Sequence, residues 1–92
     1  MIGHQNKTNN EGQDWARERL RNYLDTHENL NQQRFAYVAG VNPKTIGHFL
    51  NDGDTYPALL RKIARAMTIS YEKLISPISE EEYRELQKVL GV

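Results

Sequence analysis

The sequence predicts an all-α protein: a bundle of five short helices with a sixth added at the carboxyl end. Three observations carry this prediction. Apolar residues recur every three or four positions, most clearly at Leu59, Leu60, Ile63, Ala64 and Met67. Helix starts are marked by capping residues at Asn31, Asn42 with Pro43, Ser70, and Ser79 with Glu82. Between Gln32 and Asn51, small residues stand where two short helices must cross, with Ala36 allowing close approach and Gly40 supplying a turn that tolerates positive φ.

Length and composition bound the rest. At 92 residues the chain suits one small domain with one hydrophobic core. It has no cysteine, which excludes disulfides and thiolate metal sites and suits a reducing compartment. His4, His27 and His48 are widely spaced without a carboxylate cluster around them, so neither a metal nor any other cofactor is expected. No apolar run approaches the ~18 to 20 residues needed to span a bilayer, and the amino terminus lacks a signal-peptide plan. The expectation is a soluble, cytoplasmic protein with no membrane partner.

The net charge is zero, but it is unevenly spread. Residues 15–78 carry nine Lys or Arg against six acids, an excess of +3 offset by −1 in the first fourteen residues and −2 in the last fourteen. That excess permits a polyanionic partner without demonstrating one.

In chain order, residues 1–13 are polar and rich in Asn, Gln and Gly, with little apolar surface to offset the entropy of ordering them. They read as a flexible arm, either a plain tail or one that orders on a partner. From Asp14, a first-turn or capping acid, Ala16, Leu20, Tyr23, Leu24 and His27 mark one inward helical face, with Trp15 beside it. Arg17, Arg19 and Arg21 fall largely off this stripe, reading as a solvated face or as occasional phosphate contacts. Asn31 caps a helix from Gln32 to Ala39. Asn42 caps the next, whose first position is Pro43, where proline's missing amide hydrogen costs nothing. The turn formers Asn51, Asp52, Gly53 and Asp54 end it near Leu50. Pro57 opens a fourth helix, Ser70 caps a short fifth (YEKLI), and Ser79 with Glu82 forms a capping box for the sixth. Ile78 and Tyr83 stand where a hydrophobic staple would place them. On the last helix Tyr83, Leu86, Val89 and Leu90 form a narrow stripe, open between packing on the same domain and dimerisation.

This arrangement resembles the DNA-binding domain of the Cro/phage-repressor type of helix-turn-helix, the xenobiotic-response-element-like family. The resemblance covers residues 14–76 and rests on Gln32, Phe35, Ala36, Gly40, Val41 and Ile46, then Gly53 and Pro57, then Leu60, Ile63, Ala64, Met67 and ISYEKLI. It implies a lambda-repressor-like bundle over 14–76 and leaves 77–92 as an additional carboxyl-terminal element. It also implies a transcriptional regulator, a phage or bacterial repressor, that binds operator DNA as a homodimer and associates with the nucleoid.

An α-helix fits the major groove of B-DNA, where each base pair shows a distinct pattern. The helix 43–50 is the candidate reader, with Ile46 and Phe49 buried and Lys44, Thr45, Gly47, His48 and Asn51 on or beside its outer face. By resemblance, Pro43, Lys44 and His48 project at bases while Thr45 and Gln32 meet phosphate. Asn42 and Asn51 complete the expected phosphate set. Pro43 departs from the polar residue usual there and cannot donate, and Gly47, counted with the base-facing positions, offers no side chain but allows close approach to the DNA. The loop Asn51 to Tyr56 is about one residue longer than the common form, with Asp52 and Asp54 expected to point away from DNA. Neither Thr45 nor His48 has a triad-like companion, so no catalysis is expected. A reading from another class is a protein-interaction module, antitoxin-like or anti-repressor-like, suggested by the zero net charge and by Glu80, Glu81, Glu82 and Glu85 beside the last apolar stripe.

Overall fold

A computed structural model describes the backbone of residues 2–51, 53 and 55–90 and the side chains of 12–51, 53 and 55–89. Among these residues there are six helices and no β-strand. They are α1 (Ile2–Thr26), α2 (Gln32–Ala39), α3 (Pro43–Leu50), α4 (Pro57–Ala66), α5 (Tyr71–Ile75) and α6 (Glu80–Leu90).

The capping residues act where the sequence placed them. The Asn31 side chain accepts from the Arg34 amide at 2.8 Å, Asn42 from the Lys44 amide at 2.8 Å, and Ser70 from the Lys73 amide at 3.0 Å. Each satisfies one of the orphan donors of a helix start. At α6 only half of the expected capping box forms. The Ser79 hydroxyl accepts from the Glu82 amide at 3.2 Å, but the Glu82 carboxylate turns to Arg19 and Lys73. A charge-assisted, two-pronged bond to a guanidinium outcompetes a neutral amide.

The first helix differs from expectation. It begins at Ile2, so residues 1–13, expected as an arm, are helical along the backbone from Ile2 onward. Nucleation is the costly step in helix formation, and each residue added afterwards gains a hydrogen bond. No proline stops the helix from growing backward past Asp14. Asp14 consequently lies inside the helix and pairs with Arg17 at 2.7 Å instead of capping.

Packing joins α2 to α3 and α4, α4 to α5, and α1 to α3, α5 and α6. The shared core holds Leu20, Phe35, Ile46, Phe49, Leu59, Ile63 and Leu74, all fully buried. Thr68, just after α4, takes a left-handed φ of 59°, an uncommon setting for a β-branched residue, and the Ile69 amide reaches back to the Ala64 carbonyl at 3.0 Å. His27, expected on the inward face of α1, is exposed. It stacks on Tyr23 with ring centroids 4.0 Å apart, and its Nδ1 is hydrogen-bonded to the Tyr23 carbonyl oxygen at 2.7 Å.

The larger correction concerns Arg17 and Arg19. Neither belongs to a solvated face: they are only 5% and 4% exposed. Two residues apart on a helix means about 200° of rotation, so they serve different neighbours. Arg17 turns to α3, as described below. Arg19 grips Glu82 through Nε and Nη2 at 2.8 and 3.0 Å. Its Nη1 donates to the carbonyls of Lys73, Leu74 and Ser76, so the end of α5 and the start of α6 are tied to α1 by one side chain. A guanidinium with five fixed donors can be buried where its partners are this many.

Candidate functional site

The α2–turn–α3 unit is built around Gly40, which closes α2 at φ 75°, ψ 33°. The Val41 amide then donates to the Ala36 carbonyl at 2.9 Å, and the chain turns into Asn42 and Pro43. Phe35, Ala36, Ile46 and Phe49 are fully buried in the crossing. Their burial fixes which side of α3 faces outward.

On that outer side Pro43, Lys44, His48 and Asn51 are exposed, while Thr45 and Gly47 are half-buried. Gln32, at the first position of α2, is also exposed. Two of the glycines near this face are occupied from above. A Cβ built on Gly47 would lie 2.8 Å from Gln32 Nε2, and one built on Gly53 would clash with the imidazole of His48 at its Cδ2 and Nε2. Gln32 therefore lies across α3, and His48 folds back toward the following loop. Glycine inside a helix costs roughly 0.5–1 kcal/mol relative to alanine, so Gly47 runs against helix propensity.

The carboxyl end of α3 is held from α1. Its cap, Asn51, has φ −97° and ψ 34°, outside the left-handed setting that closes many helices. Arg17 Nε donates to the Phe49 carbonyl at 2.6 Å and Nη2 to the Gly53 carbonyl at 3.1 Å, while its guanidinium sits 5.2 Å from the centre of the Phe49 ring. Arg21 donates to the Leu50 carbonyl. Cations at this end complement the helix dipole as well as satisfying its carbonyls. Sequence reasoning missed these arginines. A signal was present: α3 ends without a left-handed glycine, and its orphan carbonyls call for donors from elsewhere.

The residues of the carboxyl-terminal stripe lie apart from this unit, on α6 against α1. The Tyr83 hydroxyl donates to Glu18, and that bond, with lesser contributions from desolvation and the carboxylate's charge, raises the phenol above its ordinary range. Leu86 is half-buried in a cleft with Asn22, Tyr23 and Met67, whereas Val89 is 64% exposed. The side chain of Leu90 and the loop acids Asp52 and Asp54 lie outside the described residues.

Among the described residues, no group of three or more His, Asp or Glu side chains is placed to hold a metal ion. No helix among them is long and apolar enough to cross a membrane. Comparisons with protein families, curated proteins and solved structures found no match.

Proposed function

We propose that this protein is a sequence-specific double-stranded DNA-binding regulator of transcription, a repressor of phage or bacterial type, that reads the major groove with α3. The observation that carries the reading is the outer side of α3. Lys44, His48 and Asn51 stand exposed at intervals of four and three, on a helix whose other side is locked by Ile46 and Phe49. A short helix presented this way, behind a second helix that crosses it, suits insertion into the groove. The Lys44 ammonium would donate to guanine O6 or N7 and the His48 ring, once swung away from Gly53, to a purine edge, with Thr45, Asn42 and Asn51 beside the phosphates. Binding as a homodimer would set two reading helices one turn of DNA apart, about 34 Å.

Selection of bound fragments from a random double-stranded pool tests this reading. A symmetric motif is the expected outcome, and recovery of random fragments alone at moderate salt would overturn it. Lys44→Ala should flatten the preference at one base pair, a change of about 1–3 kcal/mol in discrimination, while other positions keep theirs.

A second reading, a protein-interaction module, is favoured by apolar side chains left in solvent. Tyr37 is 88% and Val38 61% exposed on α2, beside Arg34 and half-buried Leu30. Val89 adds a third on the acidic α6.

A further inference from the structure

The outer stripe of α3 has a gap at its centre. Lys44, Gly47, His48 and Asn51 follow one another at helical spacing, and the position facing outward in the middle turn has no side chain. The gap is filled from the neighbouring helix. Gln32 Nε2 lies 2.8 Å from where a Cβ of Gly47 would stand, closer than a real Cβ tolerates. The glutamine carboxamide thus takes up the space of the missing side chain, and a side chain at position 47 would push it aside.

We propose that Gln32 is a specificity-determining residue: its carboxamide, seated on Gly47, reads a base in place of a side chain from α3. This rests on the DNA-binding reading and assigns Gln32 differently from the family resemblance, which implies a phosphate contact. Three features support the assignment. Gln32 is exposed, so the carboxamide is available to a ligand. It starts α2, so its backbone is held by the Asn31 cap one residue away. A carboxamide also carries a donor and an acceptor side by side, matching adenine N6 and N7 in the major groove. Pro43 sharpens the point: it cannot donate, so the stripe would otherwise offer few polar groups beyond Lys44, His48 and Asn51.

The test is bound-fragment selection, followed by affinity measurements on single-base variants of the recovered site, with the full chain and three variants. Gln32→Ala should reduce discrimination at one base pair by roughly tenfold and leave the others intact. Gly47→Ala, which displaces the carboxamide, should flatten the same base pair, and the double variant should do no more than either alone, as expected for two residues acting as one unit. Gln32→Glu should move the preference there toward cytosine, because a carboxylate accepts from cytosine N4. That exchange of preference is a readout that a merely structural role would not produce. Uniform weakening of all fragments by Gln32→Ala, with the motif unchanged, would assign the residue to phosphate and overturn the proposal. Effects of Gln32→Ala and Gly47→Ala at different base pairs would overturn it as well. If the unaltered protein returned no motif at all, the DNA-binding reading itself would fall, a result distinct from both.

Discussion

Replacing Arg19 with alanine is expected to lower the unfolding free energy by about 3–5 kcal/mol, the scale seen when one partner of a buried ion pair is removed. Its side chain is 5% exposed and holds Glu82, the closing carbonyls of α5 and the carbonyl of Ser76 together. Alanine would leave Glu82 with Lys73 alone, strip the guanidinium from three carbonyls, and loosen α6 on α1, where Tyr83 and Glu18 still join them. A chain of this length has only about 5–14 kcal/mol of stability in total, at roughly 0.05–0.15 kcal/mol per residue, so the loss would be a large fraction. Urea unfolding followed by circular dichroism measures it, and a loss below about 1 kcal/mol would show that α6 and α5 do not depend on this side chain.

The same link should respond to acid. The hydrogen bond from Arg19 is the main cause of a lowered Glu82 pKa; Lys73 adds to it and partial burial opposes it. A carboxylate whose folded pKa is depressed contributes stability that is fully present above its unfolded value and disappears as pH falls through the folded one. The α6 attachment should hence loosen only below the usual glutamate range. Arg19→Ala should remove most of that acid sensitivity.

Phe49→Ala is expected to cost about 3–5 kcal/mol by a different route, the cavity left by a fully buried ring. Two other losses accompany it. The guanidinium of Arg17 would lose the aromatic face 5.2 Å away, and α3 would lose the anchor that keeps its outer side outward. A thermal midpoint at least about 12 °C lower is the expected reading for a domain of this size. Phe49→Leu, which keeps most of the volume, should cost less than about 1.5 kcal/mol. Equal losses from the two variants would mean that the site collapses around the gap instead of holding it open.

Much of the architecture could be read locally because its signals are local. Asn31, Asn42 and Ser70 cap helices through bonds two or three residues long, and Pro43 and Pro57 announce starts by their own geometry. The inner sides of α3 and α4 were legible in the spacing of their apolar residues. What could not be read depends on residues far apart in sequence. Arg17 looked solvent-facing because its partners, Phe49 and Gly53, lie more than thirty positions away, and Arg19 because Glu82 lies further still. At the candidate site, the exposed side chains of α3 were legible, but the seating of Gln32 on Gly47 was not. Both residues were visible; their contact is made only when α2 crosses α3.

The arginines bonded within the fold also set how this protein could meet a polyanion. Four of the nine basic residues between positions 15 and 78, namely Arg17, Arg19, Arg21 and Arg34, donate to carbonyls or carboxylates within the fold, and Lys73 shares Glu82. Cations spent on the protein's own backbone release no counterions from DNA, and each phosphate that is neutralised adds only about 0.9 to the slope of log affinity against log salt. Much of the ionic attraction suggested by the basic central segment is therefore internal. An operator held by this surface would be gripped through fit and hydrogen bonding, with an affinity that rising ionic strength erodes slowly.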